Sequence, residues 1–200
     1  MIRFLDIIIS VIFLLLFLPF FIICLLIVWL DTGSPLYIQK RLGLNLKTFN
    51  LVKFRTMKMG TKSKATHLVN KSNITIIGNF LRRLKIDEIP QLFNVLLGSM
   101  SLVGPRPLLM EYMSLYSSEQ ARRHDVRPGI TGWAQINGRN AISWEQKFKY
   151  DIWYVENKSF WLDVKIIWMT IKKVIARDGI SAENHATMPK FTASKDLYKK

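Results

Sequence analysis

Apolar residues are concentrated near the start of the chain, where residues 7–30 are almost wholly hydrophobic and only Ser10 and Pro19 interrupt them. A run of this length is sufficient to cross roughly 30 Å of hydrocarbon as one helix. Pro19, near its middle, removes a backbone donor and bends a helix. The pattern therefore predicts a membrane segment, either as one spanning helix or as two arms that meet at a bend.

Basic residues flank this segment on both sides. Arg3 precedes it, and six further cations follow: Lys40, Arg41, Lys47, Lys53, Arg55 and Lys58. Because positive charge favours the cytoplasmic side, both ends are drawn to the same face of the membrane. This favours a re-entrant hairpin with arms of about 12 residues, each roughly 18 Å long. A single spanning helix stays the alternative.

After residue 31 the pattern predicts short elements of both kinds. Two alternating runs, 36–41 and 47–55, are separated by Gly43-Leu44-Asn45 and predict a β-hairpin. The fold class is mainly α with a small β-hairpin, that is, α+β. Helices are predicted at 76–84, 87–97, 144–155 and 160–177, with a further start near residue 117. Loops or turns are predicted at 60–73, 101–107 and 127–139.

The helix predicted at 160–177 is amphipathic, with a period of 3.6 residues. Its apolar face comprises Val164, Ile167, Trp168, Ile171, Val174 and Ile175. Its polar face comprises Asp163, Lys165, Thr170, Lys172, Lys173 and Arg177. Trp161 and Trp168 beside lysines are typical of a helix at a membrane interface. A helix packed on an ordinary core is an equal alternative.

Composition narrows the classes of partner and of chemistry. The formal net charge of +15 favours an anionic partner, such as nucleic acid, acidic lipid headgroups or phosphorylated substrates. Cys24 is the only cysteine, so an intrachain disulfide is excluded, and the three histidines match no zinc spacing. The chain has no GxxxxGK[ST], GxGxxG, HExxH or GxSxG, so nucleotide hydrolysis on a P-loop, dinucleotide redox chemistry, zinc proteolysis and serine hydrolysis lose support.

The most informative chemical feature is the adjacent acidic pair Asp87-Glu88, which is surrounded in sequence by the cations Arg82, Arg83 and Lys85. Mg²⁺ is typically bound by one or two carboxylates together with substrate phosphates. A carboxylate can also attack phosphorus, and Arg82 could neutralise charge on the phosphoryl oxygens. The alternative is a structural helix start, with an aspartate cap and a glutamate favoured by the helix dipole.

Further cations are candidates for a substrate site. Pro105-Arg106-Pro107 holds a guanidinium between two prolines, which presents it at low entropic cost to a phosphate or a base. Lys53 lies on the second predicted strand, and Arg127 and Arg139 bracket a glycine-rich loop that lets the backbone approach a ligand. Exposed cations on an ordinary turn, strand and loop are the alternative.

Taken together, these motifs resemble a known family. KFRTM (Lys53–Met57), LRRLKIDEIPQLFNVLLGSMSLVGPRP (Leu81–Pro107) and RPGITGWAQINGRN (Arg127–Asn140) are similar to the signatures of the bacterial sugar transferases. In particular they resemble the small monotopic, PglC-like phosphoglycosyl transferases, which begin glycan assembly on a polyprenyl phosphate carrier. The resemblance extends from about Arg3 to His185.

The resemblance implies a Mg²⁺-dependent reaction in two steps. Asp87 would attack the β-phosphate of a UDP-sugar and release UMP, and undecaprenyl phosphate would then take the phosphosugar from the enzyme. Glu88 would hold Mg²⁺ together with Asp87. Arg82 would contact phosphate, and Pro105-Arg106-Pro107 would lie on the uridine side. Less defined substrate contacts are implied for Lys53, Arg127 and Arg139.

The resemblance also implies a location and partners. It predicts a re-entrant helix at 1–30, a transferase domain at 31–187 and a mobile basic tail at 188–200, on the cytoplasmic face of the bacterial plasma membrane. The expected partners are a UDP-sugar, undecaprenyl phosphate and membrane lipid, with downstream glycosyltransferases as further candidates and no nucleic acid. The end ISAENHATMPKF favours an N-acetylated amino sugar such as UDP-N,N'-diacetylbacillosamine.

Two other functions stay open at this point. One is a membrane-tethered module that binds nucleic acid or acidic lipid through the surplus of positive charge. The other is an enzyme that hydrolyses UDP-sugars without a lipid acceptor.

Overall fold

The computed structural model describes residues 2–61, 71–138, 142–176 and 191. It divides the chain into two compact units: unit 1 is Met1–Gln39 with Asn50–Gly98, and unit 2 is Lys40–Phe49 with Ser99–Lys200. The described elements are mostly helices, with two two-stranded sheets, which confirms the α+β class. The segment boundaries predicted at residues 30 and 187 stay a prediction.

Unit 1 begins with two apolar helices, α1 (Ile2–Leu16) and α2 (Leu18–Thr32), whose axes differ by 70°. The bend lies at Phe17, and Pro19 occupies the first turn of α2. Amides in the first turn make no hydrogen bond within the helix, so the missing amide hydrogen of Pro19 costs α2 nothing. No single described helix is long and apolar enough to cross a membrane, but this bent pair satisfies both conditions together. The predicted break near Pro19 is therefore confirmed.

The hairpin and the next helix also follow the sequence. Strands β1 (Leu36–Leu42) and β2 (Thr48–Phe54) pair as predicted. Helix α3 (Ile76–Leu84) has the predicted bounds, and the Thr75 side chain caps it by accepting from the Gly78 amide. Of the predicted loop at 60–73, residues 62–70 lie outside the described part, and Lys71–Asn73 form a 3-10 turn.

The helix predicted at 87–97 was placed too early. Residues Ile86–Glu88 form a separate 3-10 turn, and α4 comprises Gln91–Leu96. Lys85, in a left-handed conformation (φ 62°), separates this turn from α3. Pro90, which has no amide hydrogen for a continuous helix, separates it from α4. Gly98, at φ 85°, ends the helical run as predicted.

Unit 2 contains a parallel strand pair that the sequence did not reveal. β3 (Ser101–Val103) and β4 (Gly129–Thr131) align Ser101 with Gly129 and Val103 with Thr131. The predicted turn at 101–107 and loop at 127–139 were therefore wrong in these parts, because three residues are too few for alternation to be visible. A Cβ on Gly104 would clash with the Arg127 carbonyl, so the close approach of the two segments requires glycine there.

Four helices complete the described part of unit 2: α5 (Ser118–Ala121), α6 (Trp133–Ile136), α7 (Trp144–Asn157) and α8 (Phe160–Ile175). The starts near residues 117, 144 and 160 are confirmed. α5 begins with a reciprocal capping box between Ser117 and Gln120. α6 was missed, since a single turn carries no periodicity.

Helix α8 buries residues that lie outside its predicted apolar face. Ile166 is fully buried. Asp163 is also buried, and its Oδ1 accepts a hydrogen bond from the Tyr154 hydroxyl at 2.7 Å, which compensates part of the cost of burial. In the predicted apolar face, Val164, Trp168, Ile171 and Val174 are exposed, and the nearby Trp161 is 76% exposed. This outcome favours the interfacial alternative over an ordinary core helix.

Each unit has its own apolar core. In unit 1, α2 packs on β2 and α3 through Phe21, Cys24, Val28, Phe54 and Leu81. Cys24 is thus part of this core. In unit 2, an aromatic cluster comprises Leu42, Leu108, Tyr112, Tyr116, Phe148 and Phe191. Both cores lie next to segments that carry candidate site residues.

Candidate active site

The acidic pair lies in the 3-10 turn between α3 and α4. Asp87 and Glu88 are both buried, with 8% of each residue exposed. The left-handed Lys85 ends α3 and begins this turn, so the pair comes directly after the helix that carries Arg82. Burial of two adjacent carboxylates is unfavourable without compensating cations or hydrogen bonds. The arrangement therefore indicates a binding site more than a helix cap, and neither side chain caps α4.

Lys53 supplies one compensating cation. Its Nζ donates to Glu88 Oε1 at 3.4 Å, from near the end of β2. The strand is held beside α4 by Asn94, whose Oδ1 accepts from the Val52 amide at 3.0 Å and whose Nδ2 donates to the Asn50 carbonyl at 2.7 Å. Sequence reasoning missed Asn94, although a lone amide in the apolar run LFNVLL was a usable signal.

Asp87 has an unusual environment. Its Oδ1 atom is buried and has no hydrogen-bond partner in the described structure. Burial, and after it the adjacent Glu88 carboxylate, raises the pKa of Asp87, whereas the cations of Lys53, Lys85 and Arg82 lower it. A more basic carboxylate is a better nucleophile, and a buried lone oxygen is available to a cation or to phosphorus.

The donor set fits Mg²⁺ bound together with a substrate. Among the described residues, no group of three or more His, Cys, Asp and Glu side chains could hold a metal ion. Mg²⁺ commonly takes only one or two carboxylates and completes its shell with water and phosphate oxygens. Asp87, with its unpartnered Oδ1, and Glu88 match that requirement.

Arg82 is fixed by a contact that the sequence did not indicate. Its Nε donates to Thr56 Oγ1 at 2.7 Å. Gly78, one turn earlier in α3, allows the helix to lie against the backbone of Thr56, where an added Cβ would clash. Burial lowers the pKa of Arg82, and the negative charges of Asp87 and Glu88 raise it, so the guanidinium lies within electrostatic reach of the pair.

The Pro105-Arg106-Pro107 segment is anchored in unit 2 through its backbone. The Arg106 carbonyl accepts from Arg123 Nη2 at 2.8 Å. Arg123 also donates to Asp151 Oδ2 from Nη2 at 2.7 Å and from Nε at 3.0 Å, and both side chains are almost fully buried. Sequence reasoning identified neither partner, since 28 residues separate them.

The predicted site residues thus fall into three sets. Lys53, Arg82, Asp87 and Glu88 are brought together in unit 1. Pro105-Arg106-Pro107 and the half-buried Arg127 lie in unit 2, the first shortly after β3 and the second shortly before β4. Arg139 lies outside the described residues.

Comparisons with known proteins agree with this chemistry. The profile of the bacterial sugar transferase family matches residues 1–177. The uncharacterized sugar transferase EpsL of Bacillus subtilis is 56% identical over 172 residues, which cover 86% of this chain and 85% of EpsL.

Two longer relatives carry more specific names. The undecaprenyl-phosphate galactose phosphotransferase of Salmonella typhimurium is 36% identical over 87% of this chain and 40% of its own length. The undecaprenyl-phosphate glucose phosphotransferase of Komagataeibacter xylinus is 42% identical over 85% of this chain and 35% of its own length. This chain therefore belongs to the bacterial sugar transferase family and is an enzyme of the phosphoglycosyl transferase type.

Proposed function

We propose that this enzyme transfers a sugar-1-phosphate from a UDP-sugar to undecaprenyl phosphate, with Asp87 as the nucleophile. The observation that carries the proposal is the buried, unpartnered Oδ1 of Asp87 beside Glu88 and within reach of Lys53 and Arg82. The printed names of two relatives support the acceptor, since both are undecaprenyl-phosphate sugar phosphotransferases.

The first step forms a bond between a carboxylate oxygen of Asp87 and the β-phosphorus of the UDP-sugar. The bond from that phosphorus to the oxygen bridging the two phosphates breaks, and UMP leaves with this oxygen. In the second step, a phosphate oxygen of undecaprenyl phosphate attacks the same phosphorus and releases the Asp87 carboxylate. The product is undecaprenyl-diphosphate-sugar, and neither step needs an external oxidant or reductant.

Charge compensation explains why these residues surround the nucleophile. Mg²⁺, when bound by Glu88 and Asp87, would withdraw charge from the phosphate oxygens and bring the two anions together. Arg82 would donate to phosphoryl oxygens that gain charge in the transition state. Lys53 neutralises Glu88 and so lowers the repulsion that a diphosphate meets on approach.

The contacts at both ends of the α1–α2 pair support a re-entrant insertion. Near the start of α1, Arg3 Nη2 donates to the Leu96 carbonyl at the end of α4 at 3.0 Å. Near the end of α2, Asp31 accepts a hydrogen bond from Thr75, the residue that caps α3. Both ends are thus bonded to the part of unit 1 that carries the acidic pair, whereas a single span would separate them by the membrane thickness.

The bend is also compatible with insertion into one leaflet. Each arm has 15 residues, or about 22 Å of helix. A 70° bend leaves about 110° between the arms, so arms that enter and leave symmetrically reach a depth of about 13 Å. One leaflet provides roughly 15 Å of hydrocarbon. Such an anchor keeps Asp87 at the headgroup level, where the phosphate of the lipid acceptor lies.

The remaining parts of the proposal concern location and sugar. The basic flanks support a location on the cytoplasmic face of the plasma membrane, and the exposed tryptophans of α8 suit its interface. Arg106, Arg127 and Arg139 are proposed to contact the UDP-sugar. An N-acetylated amino sugar, such as UDP-N,N'-diacetylbacillosamine, is the proposed donor on the strength of the segment ISAENHATMPKF. Residues 180–190 of that segment lie outside the described part.

The test is UMP release by the purified enzyme in detergent, with Mg²⁺, a panel of UDP-sugars and undecaprenyl phosphate either present or absent. Release that requires the lipid, occurs with one donor and disappears in Asp87→Asn supports the full proposal. Release without lipid, yielding free sugar phosphate, would identify a hydrolase instead. Equal turnover by Asp87→Asn and the wild type would exclude Asp87 as the nucleophile.

A further inference from the structure

Thr56 is a buried residue of unit 1, 5% exposed, immediately after the last residues of the β-hairpin. Its backbone carbonyl accepts from the Thr75 amide at 3.2 Å. Its hydroxyl oxygen accepts from Arg82 Nε at 2.7 Å. One residue therefore contacts both the start and the last turn of α3, the helix that leads to the acidic pair.

The Arg82 contact has a consequence for the guanidinium. Arginine carries five N–H donors in one rigid plane. When Nε is held by a hydroxyl, the plane can no longer rotate about the side-chain axis, and the two terminal nitrogens keep a fixed direction. Arg82 lies in electrostatic reach of Asp87 and Glu88, so a fixed plane there presents donors next to the nucleophile without further loss of entropy.

We propose that Thr56 is a positioning residue, whose hydroxyl holds the Arg82 guanidinium in the orientation that receives the phosphoryl group beside Asp87. This inference rests on the proposed function, in which Arg82 contacts phosphate. The ligand chemistry is the diphosphate of a nucleotide sugar. Thr56 itself does not touch the substrate and acts through Arg82.

The decisive variant is Thr56→Val, which keeps the branched shape and removes only the hydroxyl. Backbone contacts of residue 56 are unaffected, but Arg82 Nε loses its acceptor. We expect kcat to fall about ten- to hundredfold, as is typical of small misplacements of a charge-stabilising group. Thr56→Ser retains the oxygen and should stay within about threefold of the wild type.

A matched control separates positioning from loss of a buried hydroxyl. Thr32 is also buried in unit 1, 7% exposed, and its hydroxyl donates to the carbonyls of Val28 at 2.9 Å and Ser34 at 2.8 Å. Thr32→Val therefore removes a comparable hydroxyl without touching Arg82. Its kcat should remain close to that of the wild type, even if its thermal midpoint falls as far as that of Thr56→Val.

A double-mutant cycle tests the route through Arg82. Arg82→Lys has no Nε donor in the same position, so Thr56→Val should add less than about threefold in that background. If the two losses multiply fully, or if Thr32→Val loses as much kcat as Thr56→Val, the positioning role is refuted.

Equilibrium binding gives a readout that does not need turnover. Thr56→Val and Arg82→Lys are expected to weaken UDP binding by similar factors and to leave uridine binding unchanged. If the wild type releases no UMP from any donor but this binding pattern holds, the reaction assignment fails and the positioning role stands. If Thr56→Val binds UDP as tightly as the wild type, the positioning role is overturned whatever the reaction.

Discussion

Removal of one member of the buried Arg123–Asp151 pair should strongly destabilise unit 2. Two hydrogen bonds join the side chains, at 2.7 and 3.0 Å, and a third from Arg123 reaches the Arg106 carbonyl at 2.8 Å. With 1% and 2% of the side chains exposed, water cannot replace a missing partner. Removal of one member of such a pair typically costs about 3–5 kcal/mol.

The two single variants should differ. Asp151→Leu removes the anion that Arg123 and the nearby Lys147 share. Arg123 cannot lose its proton, so its charge stays buried without a partner charge. Arg123→Met leaves Asp151 close to Lys147. Because burial raises the pKa of Asp151, its carboxyl can also take up a proton. We therefore expect about 5 kcal/mol for Asp151→Leu and about 3 kcal/mol for Arg123→Met. The double variant should recover much of the loss, because it leaves neither charge of the pair.

Thermal unfolding in detergent is the assay. For a protein of this size, 1 kcal/mol shifts the midpoint by about 2–4 °C. The thermal midpoints of the single variants should thus fall by between about 6 and 20 °C. The midpoint of Asp151→Leu should be the lower of the two, and that of the double variant should lie above both. Burial lowers the pKa of Lys147 to about 8, so this residue can release its proton at mildly alkaline pH. The double variant should therefore recover most of the lost stability there, because Lys147 is then no longer a buried charge. Additive losses in the double variant would refute the reasoning.

Three further predictions concern other parts of the molecule. Burial, and then Arg123, lowers the pKa of His124 from 6.5 to about 4, so between pH 4 and 6.5 the unfolded chain binds more protons than the folded protein. The free energy of unfolding should therefore fall by about 3 kcal/mol as the pH is lowered through this range. His124→Asn should flatten a plot of thermal midpoint against pH. Gly78→Ala should destabilise by about 3 kcal/mol in thermal unfolding, because its Cβ meets the Thr56 carbonyl, whereas helix propensity alone predicts a gain. For the protein in vesicles, brominated phospholipid should quench the tryptophan emission, and replacement of Trp161 and Trp168 by Phe should remove a large share of this quenching. Quenching that is unchanged by the replacement would exclude an α8 that lies at the membrane interface.

Hydrophobic periodicity and the positions of proline and glycine predicted the longer helices, the hairpin and the bend. The bend beside Pro19, the hairpin around Gly43, helix α3 and the starts of α7 and α8 all follow from residues within each element. Their patterns are read within one or two turns, so the sequence contains them in full. The shorter elements β3, β4 and α6 were missed because three or four residues cannot display a period.

Side-chain burial needed the tertiary structure. The sequence left open whether the apolar stripe of α8 faces a membrane interface or a core. In the structure Ile166 and Asp163 are the buried residues, and Val164, Trp168 and Ile171 of the stripe are exposed. The reason lies in Tyr154 of α7, whose hydroxyl donates to Asp163 Oδ1. No pattern within α8 encodes that partner.

The candidate site divides in the same way. The sequence by itself determined which residues are candidates for the chemistry, because the adjacent Asp87-Glu88 pair and its ordered motifs are properties of the chain and not of its packing. Only the tertiary structure decided their condition: that Lys53 reaches Glu88, that Asp87 Oδ1 is left without a partner, and that Thr56 holds Arg82. These contacts join residues 26 and 35 positions apart, and their strength depends on burial, which only the folded chain creates.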